Sequence, residues 1–237
     1  TKVFILEVIG RHAGWIAAAS CLAATKVGDP PHIILLPEVP FDKTKFITQV
    51  KQTVKEKGYC VIVASEGTQT KNGKFLADSG LTDAFGHKQL GGVAPILAGM
   101  ISKIGLKNHW AVADYLQRSA RHIASKTDLD QAYAVGEHAV RLAIAGKTAV
   151  MPIIKRISHS PYKWKIETAP LKNVANIEKT MPRKFISKNG FEITQAGKTY
   201  LSPLIKGEAP TKYVNGLPDV AELKKIKVKK KLNYFIS

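Results

Sequence analysis

Three short polar segments carry most of the chemistry that this sequence offers, and each follows an apolar run typical of a buried strand. The first is residues 9–14, Ile-Gly-Arg-His-Ala-Gly, where two glycines let backbone N–H groups approach an anion at the start of a helix. Arg11 adds a planar guanidinium that can hold a phosphate through two hydrogen bonds. A plain strand-to-helix turn with a surface arginine accounts for the same spacing, so this segment by itself leaves both interpretations open.

The other two segments also place charged side chains after a strand. The carboxylate of Glu66, which precedes Gly67, could accept hydrogen bonds from sugar hydroxyls, although by pattern alone a helix cap or a loop salt bridge is the stronger interpretation. Residues 115–122 hold two of the six arginines of the chain. Tyr115 and Arg118, three positions apart, could converge on one phosphate from one side of a turn. Together with the arginine of the first segment they favour a phosphorylated small ligand.

An alternation of apolar runs and helical patterns supplies the elements that would position these segments. Strands are predicted at five apolar runs, residues 2–8, 32–36, 59–65, 110–114 and 148–154. Helices are predicted where apolar or alanine-rich patterns fit helical spacing, at residues 15–26, 42–57, 93–104 and 128–145. This order predicts an α/β fold with a mainly parallel sheet, and ligands of such sheets bind beyond the carboxyl ends of the strands.

Turn-forming and capping residues mark the boundaries of these elements. Residues 66–88 are polar and rich in glycine, and are predicted to form a long loop. The pair Gly91-Gly92 is expected to shape the entry of the helix that follows it. Asp128 is the predicted cap of the last helix, and Gly146 fits the C-terminal end of that helix.

The composition points to an anionic ligand or partner. The 237 residues are 45% hydrophobic, which is enough for one large domain or two small ones. There are 36 Lys and Arg against 18 Asp and Glu, a formal net charge of +18. Residues 151–237 hold 18 of the basic residues and 6 of the acidic ones. The alternation of strands and helices stops near Arg156, which predicts an α/β domain over residues 1–156 and a basic C-terminal subdomain or tail over residues 157–237.

The charge is densest in the lysine run at residues 224–231. This run has no aromatic side chains and therefore offers no platform for stacked bases. The alternation of Ile226 and Val228 with lysine favours an edge strand that is protected from aggregation. A basic module that binds nucleic acid is the alternative, and its binding would weaken steeply with salt.

Other chemistries find little support in the sequence. Cys21 and Cys60 each lie in an apolar run and are predicted to be buried small hydrophobes in a reducing compartment, not a disulfide or a zinc site. No HExxH, CxxC or GxSxG motif and no P-loop occurs. No apolar run approaches the roughly 18 residues of a membrane span, and no signal peptide is visible. The chain begins at Thr1 without an initiator Met, directly at the start of a predicted strand, which suggests a fragment.

The same segments resemble the phosphofructokinase family. Residues 7–15, Glu-Val-Ile-Gly-Arg-His-Ala-Gly-Trp, are similar to the family's Met-Gly-Arg segment in its bacterial pyrophosphate-dependent branch. Tyr115 stands where ATP-dependent members have His. Further motifs follow in the family's order, namely Leu36-Pro37-Glu38, Ala64-Ser65-Glu66-Gly67, Gly91-Gly92-Val93-Ala94-Pro95, Asp114-Tyr115-Leu116-Gln117-Arg118-Ser119, residues 128–156 and Met181-Pro182-Arg183-Lys184-Phe185-Ile186. The similarity covers essentially the whole chain and implies the phosphofructokinase fold, a Rossmann-like three-layer sandwich, here with a peripheral α+β tail.

The resemblance also implies a reaction and a role for each matching residue. The family branch transfers a phosphoryl group reversibly between pyrophosphate and the 1-hydroxyl of fructose 6-phosphate in glycolysis, with Mg²⁺. By position, Ile9 and Gly10 would contact fructose 6-phosphate through backbone, and Arg11 would bind the transferring phosphoryl group. Glu66 would hold sugar hydroxyls. The 6-phosphate would lie against the third segment, at Tyr115, Leu116, Gln117 and Arg118.

Contacts between subunits are implied as well, and here the sequence departs from the family. Lys2 stands where the family often has an Arg that reaches the 6-phosphate of a neighbouring subunit, and Lys loses the fork geometry of Arg. His109, or Lys107, takes the second such place, and His109 for Arg puts that contact in doubt. Ile9 replaces the usual Met, which is a mild change because the expected contact is through backbone.

The larger departure is an absence. The family's N-terminal half carries a Gly-Gly-Asp site for phosphate and Mg²⁺ and a Thr-Ile-Asp-Asn-Asp segment with the catalytic Asp, and neither is present in this sequence. The chain is therefore expected to be the C-terminal, sugar-phosphate-binding portion of a cytoplasmic homodimer or tetramer, inactive alone, with no specific nucleic-acid or membrane partner. The alternatives are an ATP-dependent member of the family and a non-catalytic regulatory subunit.

Overall fold

The computed structural model describes residues 1–82, 88–90, 92–227 and 229. The strands within them are β1 (Val3–Val8), β2 (Ile33–Leu35), β3 (Cys60–Ser65), β4 (Asp78–Thr82), β5 (Lys88–Leu90), β6 (Asn108–Val112), β7 (Val150–His159), β8 (Tyr162–Pro170), β9 (Tyr213–Val214) and β10 (Leu217–Pro218). The α-helices are α1 (Trp15–Ala19), α2 (Lys43–Lys57), α3 (Val93–Ser102), α4 (Leu116–Ser119), α5 (Lys126–Ile144) and α6 (Gln195–Leu201). Short 3₁₀ turns lie at Ser20–Ala23, Arg121–Ile123, Leu171–Asn173, Arg183–Phe185 and Ser202–Ile205.

A parallel sheet in the order β2-β3-β1-β6 forms the middle layer. Helices α2 and α3 cover one face, where Phe46 and Leu97 share a buried cluster with Ile5 and Ile62 of the sheet. Helices α1 and α6 cover the opposite face, together with the 3₁₀ turn Arg183–Phe185. The parallel sheet and the helical layers on its two faces confirm the predicted three-layer α/β sandwich.

The elements that carry the sheet and its first helical layer follow the sequence closely. Five predicted elements are confirmed to within two residues at each end, the strands at 2–8, 32–36 and 59–65 and the helices at 42–57 and 93–104. Asp42 caps α2 by accepting the Lys45 N–H at 3.1 Å, and Gly58 ends it with a φ of 82°. Gly92, with a φ of 88°, precedes α3 as predicted, whereas Gly91 lies outside the described residues.

The predicted helix over residues 15–26 is wrong in its second half. The helix α1 ends at Ala19 and passes into a 3₁₀ turn at Ser20–Ala23. Beyond that turn the Asp29 carboxylate accepts the backbone N–H groups of Thr25 and Lys26 at 3.0 and 2.8 Å. The chain therefore closes into a turn around Asp29, because a side-chain acceptor replaces the carbonyls of a continued helix.

Two further predictions are wrong in their boundaries. The loop expected over residues 66–88 contains β4 and the first residue of β5, and these two strands pair in antiparallel orientation. Residues 83–87 of that expected loop lie outside the described residues. The strand expected at 110–114 begins two residues earlier, because β6 pairs with β1 from Val3↔Asn108 to Glu7↔Val112.

The helix α5 begins earlier than predicted because a different residue caps it. Ser125, and not Asp128, is the cap, and its Oγ accepts the Asp128 N–H at 3.1 Å. The predicted end is confirmed, since Gly146 follows the last turn with a φ of 68°. Of the 19 residues of α5 only Gln131 is buried, so most of the helix lies exposed.

The strand predicted at 148–154 does not join the parallel sheet. It is the longer β7, which pairs with β8 in a separate antiparallel hairpin, and Arg156 lies inside it. Farther along, residues 224–227 and 229 form no regular element. The edge strand predicted over 224–231 is therefore wrong for those residues, and positions 228, 230 and 231 lie outside the described residues.

The two cysteines are buried, as predicted, and neither forms a disulfide. Burial raises the pKa of both thiols, that of Cys60 to about 12, so neither is a reactive thiolate near neutral pH. Within the described part of the chain, no helix combines the length and the apolar character that crossing a membrane requires.

Candidate functional site

The three polar segments leave the sheet at one edge. Strand β1 lies between β3 and β6, and all three run parallel, so their carboxyl ends meet. The register aligns Val8 with Ser65 and Glu7 with Val112. The segments after these three strands are therefore neighbours, at the position where open α/β sheets bind ligands.

The segments after β1 and β3 are locked together by hydrogen bonds. Gly10 N–H donates to Glu66 Oε1 at 3.0 Å, and Gly67 N–H donates to Gly10 O at 3.1 Å. Ser65 Oγ also donates to Gly10 O, and Glu66 N–H donates to Val8 O at 2.9 Å. The Glu66 carboxylate is thus oriented by a backbone amide of the neighbouring segment, while its Oε2 makes no hydrogen bond within the described residues.

Glycine is required where these two segments cross. A Cβ added to Gly67 would lie 1.7 Å from Arg11 O and 2.4 Å from Gly10 O. Gly10 has a φ of +148° and would bring a Cβ to 2.9 Å from Ser65 Oγ. No side chain fits at Gly67 without moving the backbone that carries Arg11.

Arg11 presents a half-buried side chain, and within the described residues its guanidinium has no hydrogen-bond or ion-pair partner. Its neighbour His12 pairs with Glu178 and stacks on Phe75 at a ring-centroid distance of 5.5 Å. The loop is thus anchored through His12, and Arg11 is left free to meet an anion.

The backbone amide of Gly14, the residue that precedes helix α1, already has a partner within the fold. Gly14 N–H already donates to the Glu38 carboxylate at 3.0 Å. The same carboxylate accepts Met181 N–H at 2.9 Å, so Glu38 joins the loop to the C-terminal segment. The helix α1 has only five residues, and Arg11 is the candidate anion-binding side chain of this segment.

The segment after β6 is held by backbone hydrogen bonds, both to β1 and within its own short helix. Ala113 N–H donates to Glu7 O at 3.0 Å, and Asp114 follows with a φ of 41°. The Arg118 guanidinium lies over the Tyr115 ring at 5.0 Å, so the predicted pair does come together. Tyr115 is 67% exposed and Leu116 is 72% exposed, whereas the Nε2 atom of Gln117 is buried and has no hydrogen-bond partner among the described residues.

Glu7 is a buried charged residue of the site that sequence reasoning quoted but did not assign. It is 2% exposed and accepts the N–H groups of Gly92 and Ala94 at 3.2 and 2.8 Å. Burial raises the pKa of Glu7 despite these hydrogen bonds, and the nearby charges of Glu66 and Asp114 raise it further. A lone Glu inside the apolar run of β1 was the signal that could have found it.

The remaining predicted positions lie at the opposite end of the sheet. Lys2 precedes β1, and its N–H donates to Lys107 O at 2.8 Å. His109 is aligned with Phe4 near the start of the strands. Lys2 and Gly10 are eight residues apart along β1 and its extension, or about 26 Å at the rise of a strand. These residues therefore do not join the three segments within one chain.

Within the described part of the chain, no group of three or more His, Cys, Asp or Glu side chains could hold a metal ion. Arg11 and Arg118 carry guanidinium donors suited to an anion, and Glu66 carries a carboxylate that can accept a hydroxyl.

Comparison with known proteins identifies the class to which this fold and site belong. The sequence profile of the phosphofructokinase family matches residues 1–143, more than half of the chain, and the chain therefore belongs to that family.

Several relatives that match nearly the whole chain are named as pyrophosphate-dependent enzymes. The pyrophosphate–fructose 6-phosphate 1-phosphotransferase of Halomonas elongata is 62% identical over 236 residues, which are 99% of this chain and 56% of that protein. The enzyme of the same name from Xanthomonas campestris is 56% identical over 98% of this chain and 56% of its own length. The crystal structure of pyrophosphate-dependent phosphofructokinase from Marinobacter aquaeolei, 54% identical, superposes with a TM-score of 0.84 over 98% of this chain and 55% of that one. The chain thus spans about half the length of its relatives.

Proposed function

We propose that this chain is the sugar-phosphate-binding portion of an enzyme that reversibly transfers a phosphoryl group from pyrophosphate to the 1-hydroxyl of fructose 6-phosphate. The single observation that carries the proposal is the crossing at Gly67, where the segment that carries Glu66 is hydrogen-bonded to the segment that carries Arg11. The names of the relatives support the substrate pair.

Arg11 and Glu66 serve the reacting end of the sugar. The free guanidinium of Arg11 binds the transferring phosphoryl group and stabilises the negative charge that spreads over its oxygens. Glu66 uses one carboxylate oxygen for Gly10 N–H, so the other can accept a sugar hydroxyl. The backbone of Ile9 and Gly10 lies against the same sugar.

The segment after β6 binds the other end of the sugar. Tyr115 and Arg118 clamp the 6-phosphate, and the stacking of Arg118 on the Tyr115 ring at 5.0 Å orients its N–H groups before the ligand arrives. Leu116 and Gln117 complete this segment. The unpartnered amide of Gln117 supports a role for a ligand oxygen there.

The rest of the machinery is proposed to lie in other parts of the full-length enzyme. Mg²⁺ would neutralise charge on pyrophosphate when bound; the described residues supply no cluster of ligands for it, so its ligands and the general base belong to the part of the relatives that this chain does not match. Lys2 and His109 would reach the 6-phosphate of a neighbouring subunit in a homo-oligomer. A glycolytic enzyme of this kind is expected in the cytoplasm.

An exposed surface supports the view that this portion works with more protein. Tyr133, Val140 and Ile144 of α5 are 76%, 60% and 82% exposed. An amphipathic helix of this length is normally stabilised by packing of its apolar face. The relatives extend well beyond the matched region, with 56% of the Halomonas protein covered.

Activity measurements on the isolated chain and on the full-length protein test the proposal. The full-length protein should form fructose 1,6-bisphosphate from fructose 6-phosphate with pyrophosphate and not with ATP, and the 237-residue chain should form none. Product formation by the isolated chain would overturn the assignment of the base to another part of the enzyme. Faster turnover with ATP than with pyrophosphate would show that ATP is the phosphoryl donor and would overturn the proposed one.

A further inference from the structure

A cleft beside the candidate site is built from residues that the proposed function does not use. It lies at the carboxyl end of β2, has a volume of about 230 Å³, and is lined by parts of residues 35–45, 68–71 and 183–191. Hydrogen bonds fix its walls, because Ile34 N–H donates to Phe191 O at 2.8 Å and Phe41 N–H donates to Gln69 O at 2.7 Å. The cleft is therefore preformed.

The turn that closes one side of the cleft is rigid. Asn189 Oδ1 accepts Phe191 N–H at 2.9 Å, and Ser187 N–H donates to Glu192 O at 2.9 Å. Gly190, with a φ of +83°, lies so close to Val39 that a Cβ would come within 3.0 Å of its Cγ1. This wall belongs to the C-terminal segment that contains the motif Met181-Pro182-Arg183, which the proposed function leaves without a role.

The rim of the cleft is strongly cationic. We call four of its side chains the rim cations, Lys45, Lys71, Arg183 and Lys188. Among the described residues, Asp42 is the one carboxylate in the lining, and its Oδ2 is occupied by Lys71 Nζ at 3.2 Å. Within the described residues, Lys45 and Lys188 have no ion-pair partner.

The position of one rim cation is fixed by backbone. Arg183 Nη1 donates to the carbonyl oxygens of Ile186 and Ser187 at 3.0 and 3.1 Å. A guanidinium has five N–H donors, so this anchoring leaves others for a ligand. A fixed guanidinium with free donors is suited to a carboxylate or a phosphate.

Part of the cleft lining is apolar. It consists of Leu35, Val39, Phe41 and Phe191, which we call the apolar floor. At about 30 Å³ for each water, the volume corresponds to seven or eight waters, which is room for one ring and an acidic group. Cationic donors around an apolar floor are complementary to a ligand that carries both features.

We propose that this cleft binds a small amphipathic anion, with a carboxylate or phosphate ester held by the rim cations and a single ring or short apolar chain on the apolar floor. Phosphate esters and aromatic carboxylates share this chemistry. The loop that carries Glu66 continues through Thr68 into the cleft wall, so a measurement must separate this site from the sugar-phosphate site.

Amide NMR spectra of the isotope-labelled chain provide that separation. Phenyl phosphate and benzoate carry both features of the ligand, whereas inorganic phosphate carries only the charge and phenol only the ring. Either of the first two probes should shift the amides of residues 39–42 and 188–191 saturably, at concentrations at least about tenfold lower than inorganic phosphate or phenol require. Inorganic phosphate that binds as tightly as phenyl phosphate overturns the role of the apolar floor.

Charge reversals at the rim identify the site. Lys188→Glu and Lys45→Glu should each weaken phenyl phosphate binding at these amides by about tenfold. Lys184→Glu is the matched control, since Lys184 is exposed on the neighbouring turn, lies over the Phe185 ring at 5.7 Å and does not line the cleft. Equal losses in all three variants, or no shift of the cleft amides with either amphipathic probe, overturn the proposal.

A fourth variant keeps this proposal distinct from the proposed function. Arg118→Ala should remove shifts at residues 115–118 and leave those at the cleft unchanged. Loss of the cleft shifts in Arg118→Ala would mean that the probe binds the sugar-phosphate site instead, and would overturn the cleft as a separate site.

Discussion

The two parts of the candidate site are held in different ways. The segments after β1 and β3 interlock through partly buried hydrogen bonds at Gly10, Ser65 and Gly67. The segment after β6 is exposed at Tyr115 and Arg118, and it is tied to the sheet through the Ala113 N–H. One part is fixed by folding, whereas the other is a surface turn whose side chains are free for a ligand.

This difference predicts which residues stabilise the fold and which residues determine the affinity for a ligand. Changes in the interlocked part should destabilise the fold, because they disturb buried backbone and its hydrogen bonds. Changes in the exposed turn should leave folding almost untouched and act on the ligand. The following variants test this separation.

The largest loss of stability is expected for Gly67→Ala. The new Cβ would lie 1.7 Å from Arg11 O, so the crossing must open, at a cost of about 3 kcal/mol or more in the free energy of unfolding. Urea denaturation measures this. In the matched control, Gly136→Ala within α5, no atom lies within 4 Å of the added Cβ, and the change should stabilise by up to about 1 kcal/mol. Equal changes in the free energy of unfolding in the two variants would contradict the close contact between the segments that cross at Gly67.

A smaller difference is expected between two serines, one in each part of the site. Ser65→Ala removes the buried donor to Gly10 O and should cost about 1 to 2 kcal/mol. Ser119→Ala removes an exposed hydrogen bond to Leu116 O at 3.2 Å, and its effect should stay within about 0.5 kcal/mol. Thermal unfolding of both variants compares them. A larger loss of stability in Ser119→Ala than in Ser65→Ala would contradict the proposed difference between the two parts of the site.

The pH dependence of stability reports on Glu7, which lies buried next to both parts. Its folded pKa is raised above the ordinary value of 4.5, first of all by burial. A raised folded pKa stabilises the fold below pH 4.5, and this contribution is lost as pH rises through the folded pKa. The stability of the chain relative to Glu7→Gln should therefore fall as pH rises above about 4.5 and then level off. A difference that is constant, or that grows with pH, contradicts the burial of this carboxylate.

The smallest effect on folding is expected at the tip of the exposed turn. Leu116 is 72% exposed, so Leu116→Ser should change the free energy of unfolding by no more than about 0.5 kcal/mol. Chemical denaturation checks this. A loss above about 1 kcal/mol would show that the turn packs against the fold and is not a free surface.

Local patterns in the sequence were sufficient for the central sheet and two of its helices. The apolar runs of β1 and β3 and the helical spacing of Phe46, Val50 and Val54 depend on near neighbours alone, and these elements were predicted to within one or two residues. The order of strands and helices predicts that the loops of Arg11, Glu66 and Arg118 leave the sheet at one edge, and the parallel strands β3, β1 and β6 confirm this. The roles that the resemblance implies for these three residues stay predictions.

Features that depend on distant partners could not be predicted. The Glu38 carboxylate accepts the Gly14 N–H and also the N–H of Met181, which lies 143 residues away in the sequence. No local pattern in the sequence indicates either hydrogen bond. The shortening of α1 depends on how the Asp29 side chain folds back on its own loop. The pairing of β7 with β8 was missed because a single apolar run does not reveal its partner strand.

The central claim, that this chain binds fructose 6-phosphate across both parts of the site, is tested most directly by titrating it with that sugar. Amide NMR should show saturable shifts at Gly10, Glu66 and residues 115–118 together. Arg118→Ala should weaken binding by about ten- to a hundredfold, while Arg141→Ala, which breaks only the exposed pair with Glu137 on α5, should leave it unchanged. Absence of saturable binding, or equal losses in the two variants, would contradict the account.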